Sequence, residues 1–401
     1  VTAQDKEALR TKLKALEDEL NRHLASDYGV KVSDKAAYAK WVKSHQPFHW
    51  FIQFYGILHG GGFDVIIGNP PYVELSDIVG QYTVRHSALI ETGNLYALCM
   101  ERFTHLLHAS ARMGVIVPIS SVSTPRMLPL MRLMNRSFSL LHLSNFAVRP
   151  GKLFVGVDMN LTIFIGKRGV QTSALGLFST GYNRWNEQAR STLFSTITYA
   201  TTGLIESASA IPKTGMEYTA VILHKIRKLP SFARRRSDSP SATRVFYHSG
   251  GRYFRKCIRE QLSNEYKPLN LEKGFADAAI CLLSSSLYYW FWIVYSDCYH
   301  VTKGDIDAMP VPDSMVENAE FKSLAARLLE DLWLHAERRI RNRKDGSQQE
   351  EVNFHVGKSK LIIDEVDSTL AIHYGLSPAE LDFIANYDAK YRFADNGKDK
   401  Q

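Results

Sequence analysis

The spacing of apolar positions changes several times along the chain. Between residues 4 and 24, Leu13, Leu16 and Leu20 recur at helical spacing among charged residues, which predicts an amphipathic helix. Residues 34–58 are mixed and hold an aromatic cluster of Phe48, Trp50, Phe51, Phe54 and Tyr55, and Gly60-Gly61-Gly62 predicts a turn. Val65-Ile66-Ile67 is a short all-apolar strand, of the kind buried on both faces in parallel sheets. Asn94 can cap a helix running to about Arg112, with Leu95, Leu98, Phe103, Leu106 and Leu107 on its apolar side and Gly114 as a stop. Val115 to Pro118 then reads as a second buried strand, 125–138 as a helix, and 140–148 and 160–166 as further strands. Strand–helix–strand–helix–strand–strand is an α/β order.

From about residue 171 the texture changes. Ser, Thr and Gly are frequent and elements are short, as far as Pro310-Val311-Pro312. Residues 316–343 return to a helical stripe of Phe321, Leu324, Leu328, Leu332 and Trp333. The segment from Ile362 to Tyr391 holds two helical stretches, with Gly375 as a stop and Ser377 as a cap for the second. The longest apolar run, Ala279 to Tyr295, is interrupted by Ser284, Ser285 and Ser286. It falls short of the roughly 18 uninterrupted apolar residues a membrane span needs, so a buried element is expected and no membrane contact. The expected division is a helical segment over 1–45, an α/β unit over 46–170, a mixed α+β domain over 171–313 and a helical region over 314–401.

Composition narrows the chemistry only a little. Of 401 residues, 45% are hydrophobic and 22% charged, which is ordinary for a globular chain. Cys99, Cys257, Cys281 and Cys298 lie far apart with no paired spacing, so no disulfide framework and a reducing cytoplasm are expected. Pro47 between His45 and His49 spoils a helical ligand pair, and no metal site is expected. Distribution matters more than the net charge of +8. Between His224 and Lys267 stand twelve Lys or Arg against three Asp or Glu, with Phe246, Tyr247, Tyr253 and Phe254 interleaved. A basic run with aromatics suits phosphate contacts and base stacking, which nominates Arg234, Arg235, Arg236, Arg252, Arg255 and Lys256. The plainer reading is a solvated loop.

The sharpest chemistry lies in Phe63 to Leu75, FDVIIGNPPYVEL. In a parallel α/β sheet, ligands bind beyond the carboxyl ends of the strands, and Asn69 is the first polar side chain past the apolar strand. Pro70 and Pro71 fix two φ angles and remove two N–H donors, so the local surface offers acceptors. Tyr72 adds a flat π-face. Two acceptors beside a stacking face suit an exocyclic amine on a planar ring, such as that of adenine. A sulfonium methyl donor would need little further activation, and the base must leave its duplex to reach such a pocket.

Asn69-Pro70-Pro71-Tyr72 resembles the catalytic motif of amino-DNA methyltransferases acting on the N6 amine of adenine. Asn94-Leu95-Tyr96 and then Gly114 to Pro118 are similar to the segments that follow it in that family. Lys152-Leu153-Phe154 resembles the segment whose aromatic stacks on the other face of the flipped base, which nominates Phe154. The stretch from Leu282 to Pro312 is similar to the target-recognition region of type IIG restriction–modification enzymes and large defence-island methyltransferases. The resemblance implies S-adenosylmethionine as donor, double-stranded DNA as partner, a minor donor-side role for Asn94, and tolerance of Tyr72→Phe. It implies a fold that is the C-terminal part of a Rossmann-like methyltransferase sheet, followed by a mixed α+β target-recognition domain and a helical C-terminal region. The family's glycine-rich donor loop has no counterpart ahead of Asn69, so a missing N-terminal methyltransferase half, supplied in cis or in trans, is expected. Two other readings stay open: a non-catalytic DNA-recognition subunit, and an amino-methyltransferase acting on RNA or on protein glutamine.

Overall fold

The computed structural model describes residues 2–169, 176–251, 253–342 and 348–392. The chain divides into two compact units, residues 1–144 with 161–178 and residues 145–160 with 179–401.

The first unit opens with α1 (Ala3–Asp27), capped by a reciprocal Thr2–Asp5 box, and α2 (Lys35–His45), capped by Asp34. Two short helices, α3 (Trp50–Gln53) and α4 (Tyr55–His59), carry the aromatic cluster. Then follow β1 (Phe63–Gly68), α5 (Leu95–Leu106), β2 (Leu107–Pro118), α6 (Leu128–Ser137), β3 (Leu140–Phe146), β4 (Leu161–Lys167) and β5 (Gly176–Asn183). β6 (Tyr199–Thr201) completes a six-stranded sheet of order β1-β2-β4-β3-β5-β6. β3 and β5 begin in the first unit and end in the second. β1 pairs with β2 in parallel, whereas β2 pairs with β4 antiparallel, so this is a mixed α/β fold with a mixed sheet. Tyr96, Ala97 and Met100 of α5 are buried with Met113, Val115 and Val117 of β2, as are Leu130, Met131 and Met134 of α6.

Three expectations are corrected here. The helix expected to reach Arg112 ends at Leu106, and β2 starts at Leu107 with Gly114 inside it. From Ala111 onward the strand alternates between buried and open positions. Ala111, Met113, Val115 and Val117 are the buried set, and that period of two decides for strand. β1 was expected to be covered on both faces, yet Val65 is 53% and Ile67 83% exposed, so the face these two share is left uncovered among the described residues. The helix expected over 316–343 stops at Leu334, and Ala336–Asn342 turns back as one arm of a hairpin with Gln348–Phe354. That hairpin sets Arg339 opposite Glu351 in register, and the Arg339 guanidinium pairs with Glu337 at 2.8 Å.

The second unit contains α7 (Leu193–Thr196), α8 (Glu217–Ile226) and a three-stranded sheet of order β8-β7-β9 (Cys257–Ile258, Thr243–His248, Tyr266–Leu271). After these come α9 (Ala276–Ser284), α10 (Ser286–Tyr295), α11 (Lys303–Asp307) and α12 (Ala319–Leu334). The hairpin strands are β10 and β11, followed by α13 (Lys360–Tyr374), α14 (Pro378–Ala385) and α15 (Ala389–Arg392). The apolar run became α9 and α10, bent by 67° at Ser285 and buried at every residue of α10. No single helix among the described residues is long and apolar enough to cross a membrane. Gly375 ends α13 in the left-handed conformation and Ser377 caps α14, as the sequence predicts.

One buried carboxylate ties these helices together. Asp367 of α13 accepts from the backbone N–H groups of Ser286 and Leu287 at the start of α10. Burial pushes its pKa up to about 6. A folded-state value above the unfolded one makes Asp367's contribution greatest below about pH 4, and it is lost as pH rises through 6. We expect Asp367→Asn to flatten that part of the stability profile, read as urea midpoints between pH 4 and 7 against wild type.

Candidate functional site at the end of the edge strand

β1 ends at Gly68, which is in register with Val115 of β2. Asn69 follows at once and is exposed, while Pro70 is buried. The chain then turns so that the Tyr72 hydroxyl donates to the Ile116 carbonyl at 3.0 Å, one residue past the last position of β2 that pairs with β1. The Tyr72 ring stands edge-on to Tyr96, 6.5 Å between centroids, and is half-buried. Burial pushes both phenols up to about 12, so both are neutral at physiological pH.

Beyond Tyr72 the backbone is clamped to the start of α5. Leu75 N–H donates to the Gly93 carbonyl at 2.8 Å, and Leu95 N–H donates to the Val73 carbonyl at 2.9 Å. Side chains lock the same junction. Arg126 donates to Glu74 Oε1 at 2.7 Å, and the Asn94 amide donates to that oxygen at 3.2 Å. The other end of Asn94, its Oδ1, caps α5 by accepting from Tyr96 N–H. Gly93 sits at φ 67°, a left-handed conformation that a side chain disfavours, and a Cβ there would come within 3.4 Å of the Arg126 guanidinium. Sequence reasoning nominated Asn69, the prolines, Tyr72 and Asn94, and the structure sets them along this one loop. It missed Glu74 and Arg126, which are 52 positions apart and share no local pattern. In the structure Asn94 is a cap and a strut of the loop.

Phe154 belongs to the second unit, partly exposed, on the segment between β3 and β4. That segment is held by Arg190, which donates to the carbonyls of Lys152 at 2.5 Å and Leu153 at 3.3 Å, and by Gly151 N–H donating to the Trp185 carbonyl at 2.7 Å. Lys152 also pairs with Asp158 at 2.5 Å.

The basic run is mostly spent internally. Arg235 pairs with Glu272 at 2.8 Å and with Asp313, and its guanidinium lies over Phe275. Arg236 pairs with Asp307 at 3.3 Å. Arg255 is 2% exposed, donates to the Gly250 and Gly251 carbonyls, and stacks 3.5 Å from the Trp292 centroid. Buried in this way, the guanidinium is out of a phosphate's reach, which corrects the expectation for this residue. Lys256 is half-buried against Phe354, and burial with Arg255 nearby pulls its pKa down to about 8. Arg252 lies outside the described residues. Arg234 alone of the triple is exposed.

Residues 3–150 match the Eco57I restriction-modification methylase family. That stretch contains both the edge strand and the Asn69–Tyr72 turn, in line with the resemblance read from the motif. No curated protein matches the chain. Among solved structures, the type IIL restriction-modification enzyme MmeI in complex with DNA is 14% identical with a TM-score of 0.42, over 82% of this chain and 57% of that one. A nuclease-deletion mutant of the type ISP enzyme LlaGI with a DNA substrate mimic is 12% identical with a TM-score of 0.33, over 49% and 21%. The DrdV–DNA complex is 10% identical with a TM-score of 0.30, over 38% and 19%. The chain spans less than two thirds of the length of each.

Two predictions follow from this geometry. Tyr72→Phe removes the tether to Ile116 and should lower stability by about 0.5–1.5 kcal/mol, read as unfolding midpoints against wild type. Arg235→Ala breaks the pairs with Glu272 and Asp313 and should destabilise the second unit, whereas Arg234→Ala should leave its thermal melt unchanged.

Proposed function

We propose that the chain carries the acceptor side of a restriction–modification DNA methyltransferase that modifies the N6 amine of a flipped adenine. The observation that carries this reading is Asn69, placed just past the carboxyl end of a strand in a parallel pair, beside a tyrosine tethered by its hydroxyl. Asn69 Oδ1 and the backbone carbonyl fixed by the proline pair accept the two amine hydrogens. Held so, the nitrogen lone pair stands out of the ring plane. The Tyr72 face supports the base. S-adenosylmethionine would supply an electrophilic methyl group. The amine nitrogen forms the new C–N bond as the C–S bond breaks, and the amine proton leaves to solvent. No side chain of high basicity is required at the loop.

The donor's own site we assign to strands that continue the sheet past β1. The observation that supports this is the place of β1 at the end of the strand order, with its outer edge unpaired among the described residues. An open strand edge is a template for further pairing.

The test uses the 401-residue chain alone and with a donor-binding methyltransferase segment supplied in trans. Calorimetry should show no S-adenosylmethionine binding by the chain alone and restored binding and methyl transfer in the completed enzyme. In that enzyme, Asn69→Ala should cut turnover by about 10²–10³ or more while DNA affinity stays within a few fold. Wild-type turnover by Asn69→Ala would sink the catalytic assignment. Donor binding by the chain alone would sink the assignment of the donor site to another segment.

A further inference from the structure

The amphipathic pattern predicted over residues 4–24 formed α1, but its apolar stripe does not face the core. Leu9 is 58%, Leu13 40% and Leu16 45% exposed, and Leu20 is half-buried. The residues that α1 buries are Asn21 and Ala25, and Asn21 Oδ1 meets His49 Nε2 at 2.8 Å. At 100° per residue, the four leucines span about 60° of the helix surface, and Asn21 and Ala25 lie about 130° away from them. The leucine face is therefore a second face, separate from the one that anchors the helix.

Its spacing is 4, 3, 4, the seam of a two-heptad coiled coil. The positions beside the seam are charged in two blocks. Arg10 and Lys12 flank the first half, and Glu17 and Glu19 flank the second. Such a helix is complementary to itself turned end for end. With two copies antiparallel and centred between Leu13 and Leu16, Leu9 meets Leu20 of the second copy and Leu13 meets Leu16. Arg10 then faces Glu17 of the second copy, Lys12 faces Glu19, and both contacts occur twice by symmetry. The helix dipoles also oppose. A parallel alignment would set Lys6 on Lys6 in the continuation of the seam.

We propose that α1 is a self-association helix, and that its leucine face is covered by α1 of a second copy of this chain in antiparallel register. The inference stands on α1 alone and does not rest on the methyltransferase reading.

Sedimentation velocity of the 401-residue chain over a hundredfold concentration range tests it. The average mass should climb from that of one chain toward that of two. Leu13→Glu with Leu16→Glu should weaken association at least tenfold, with the circular dichroism spectrum unchanged. The charge variants Arg10→Glu with Lys12→Glu, and Glu17→Lys with Glu19→Lys, should each stay monomeric alone and dimerise when mixed in equal amounts. A wild-type chain that remains monomeric throughout would overturn the proposal. So would association that survives the leucine changes, or a mixture that associates no better than its components.

Discussion

The hydrogen bond from the Tyr72 hydroxyl to the Ile116 carbonyl is the contact on which the turn after β1 depends. A loop with two successive prolines has lost two backbone donors and cannot extend a ladder through them. It is held instead from its ends. On one side the parallel pairing of β1 with β2 fixes where Asn69 emerges. On the other, Val73 and Leu75 bond across to Leu95 and Gly93, and Glu74 gathers Arg126 and Asn94. Between these clamps the tyrosine hydroxyl decides where the ring lies. The price is a half-buried phenol, and its raised pKa records that desolvation.

The same economy shapes the second unit. Its cations look like a nucleic-acid surface when counted along the sequence, but several serve as internal struts. Arg255 is enclosed between two carbonyls and the Trp292 ring, and Arg235 bridges Glu272 and Asp313 across elements far apart in sequence. Arginine suits this use because its planar guanidinium bonds in the plane and stacks above it. A charge that is paired and desolvated contributes little to the field seen by an approaching polyanion. Within the triple, Arg234 is the one cation left exposed.

Local signals carried much of the fold and little of the wiring. The order β1, α5, β2, α6, β3, β4 was legible because each element has a run of its own period. Caps at Asn94 and Ser377 and the stop at Gly375 were legible because capping chemistry acts within a few residues. The end of α5 was misread because Leu106 and Leu107 fit a helix stripe, while β2 is fixed by partners on β1 and β4. The exposure of β1 could not be read at all, since an all-apolar strand looks the same with one covered face or two. At the site, Asn69 and Tyr72 were visible as a motif, whereas Glu74–Arg126 exists only after folding. Charge counts misled for Arg255 because a sequence shows valence without burial.

Two of the apolar surfaces that the first unit exposes differ in what can cover them. The edge of β1 offers a row of backbone donors and acceptors beside Val65 and Ile67, so its complement must bring main chain as well as side chains. A strand meets that demand and a helix does not. The α1 stripe has its backbone fully bonded within the helix, so only side chains remain to be matched, and a second helix with the same spacing meets that demand. The chemistry of each surface thus selects a different class of occupant. A strand paired at β1 would answer backbone groups and leave the side chains of the α1 stripe unmatched.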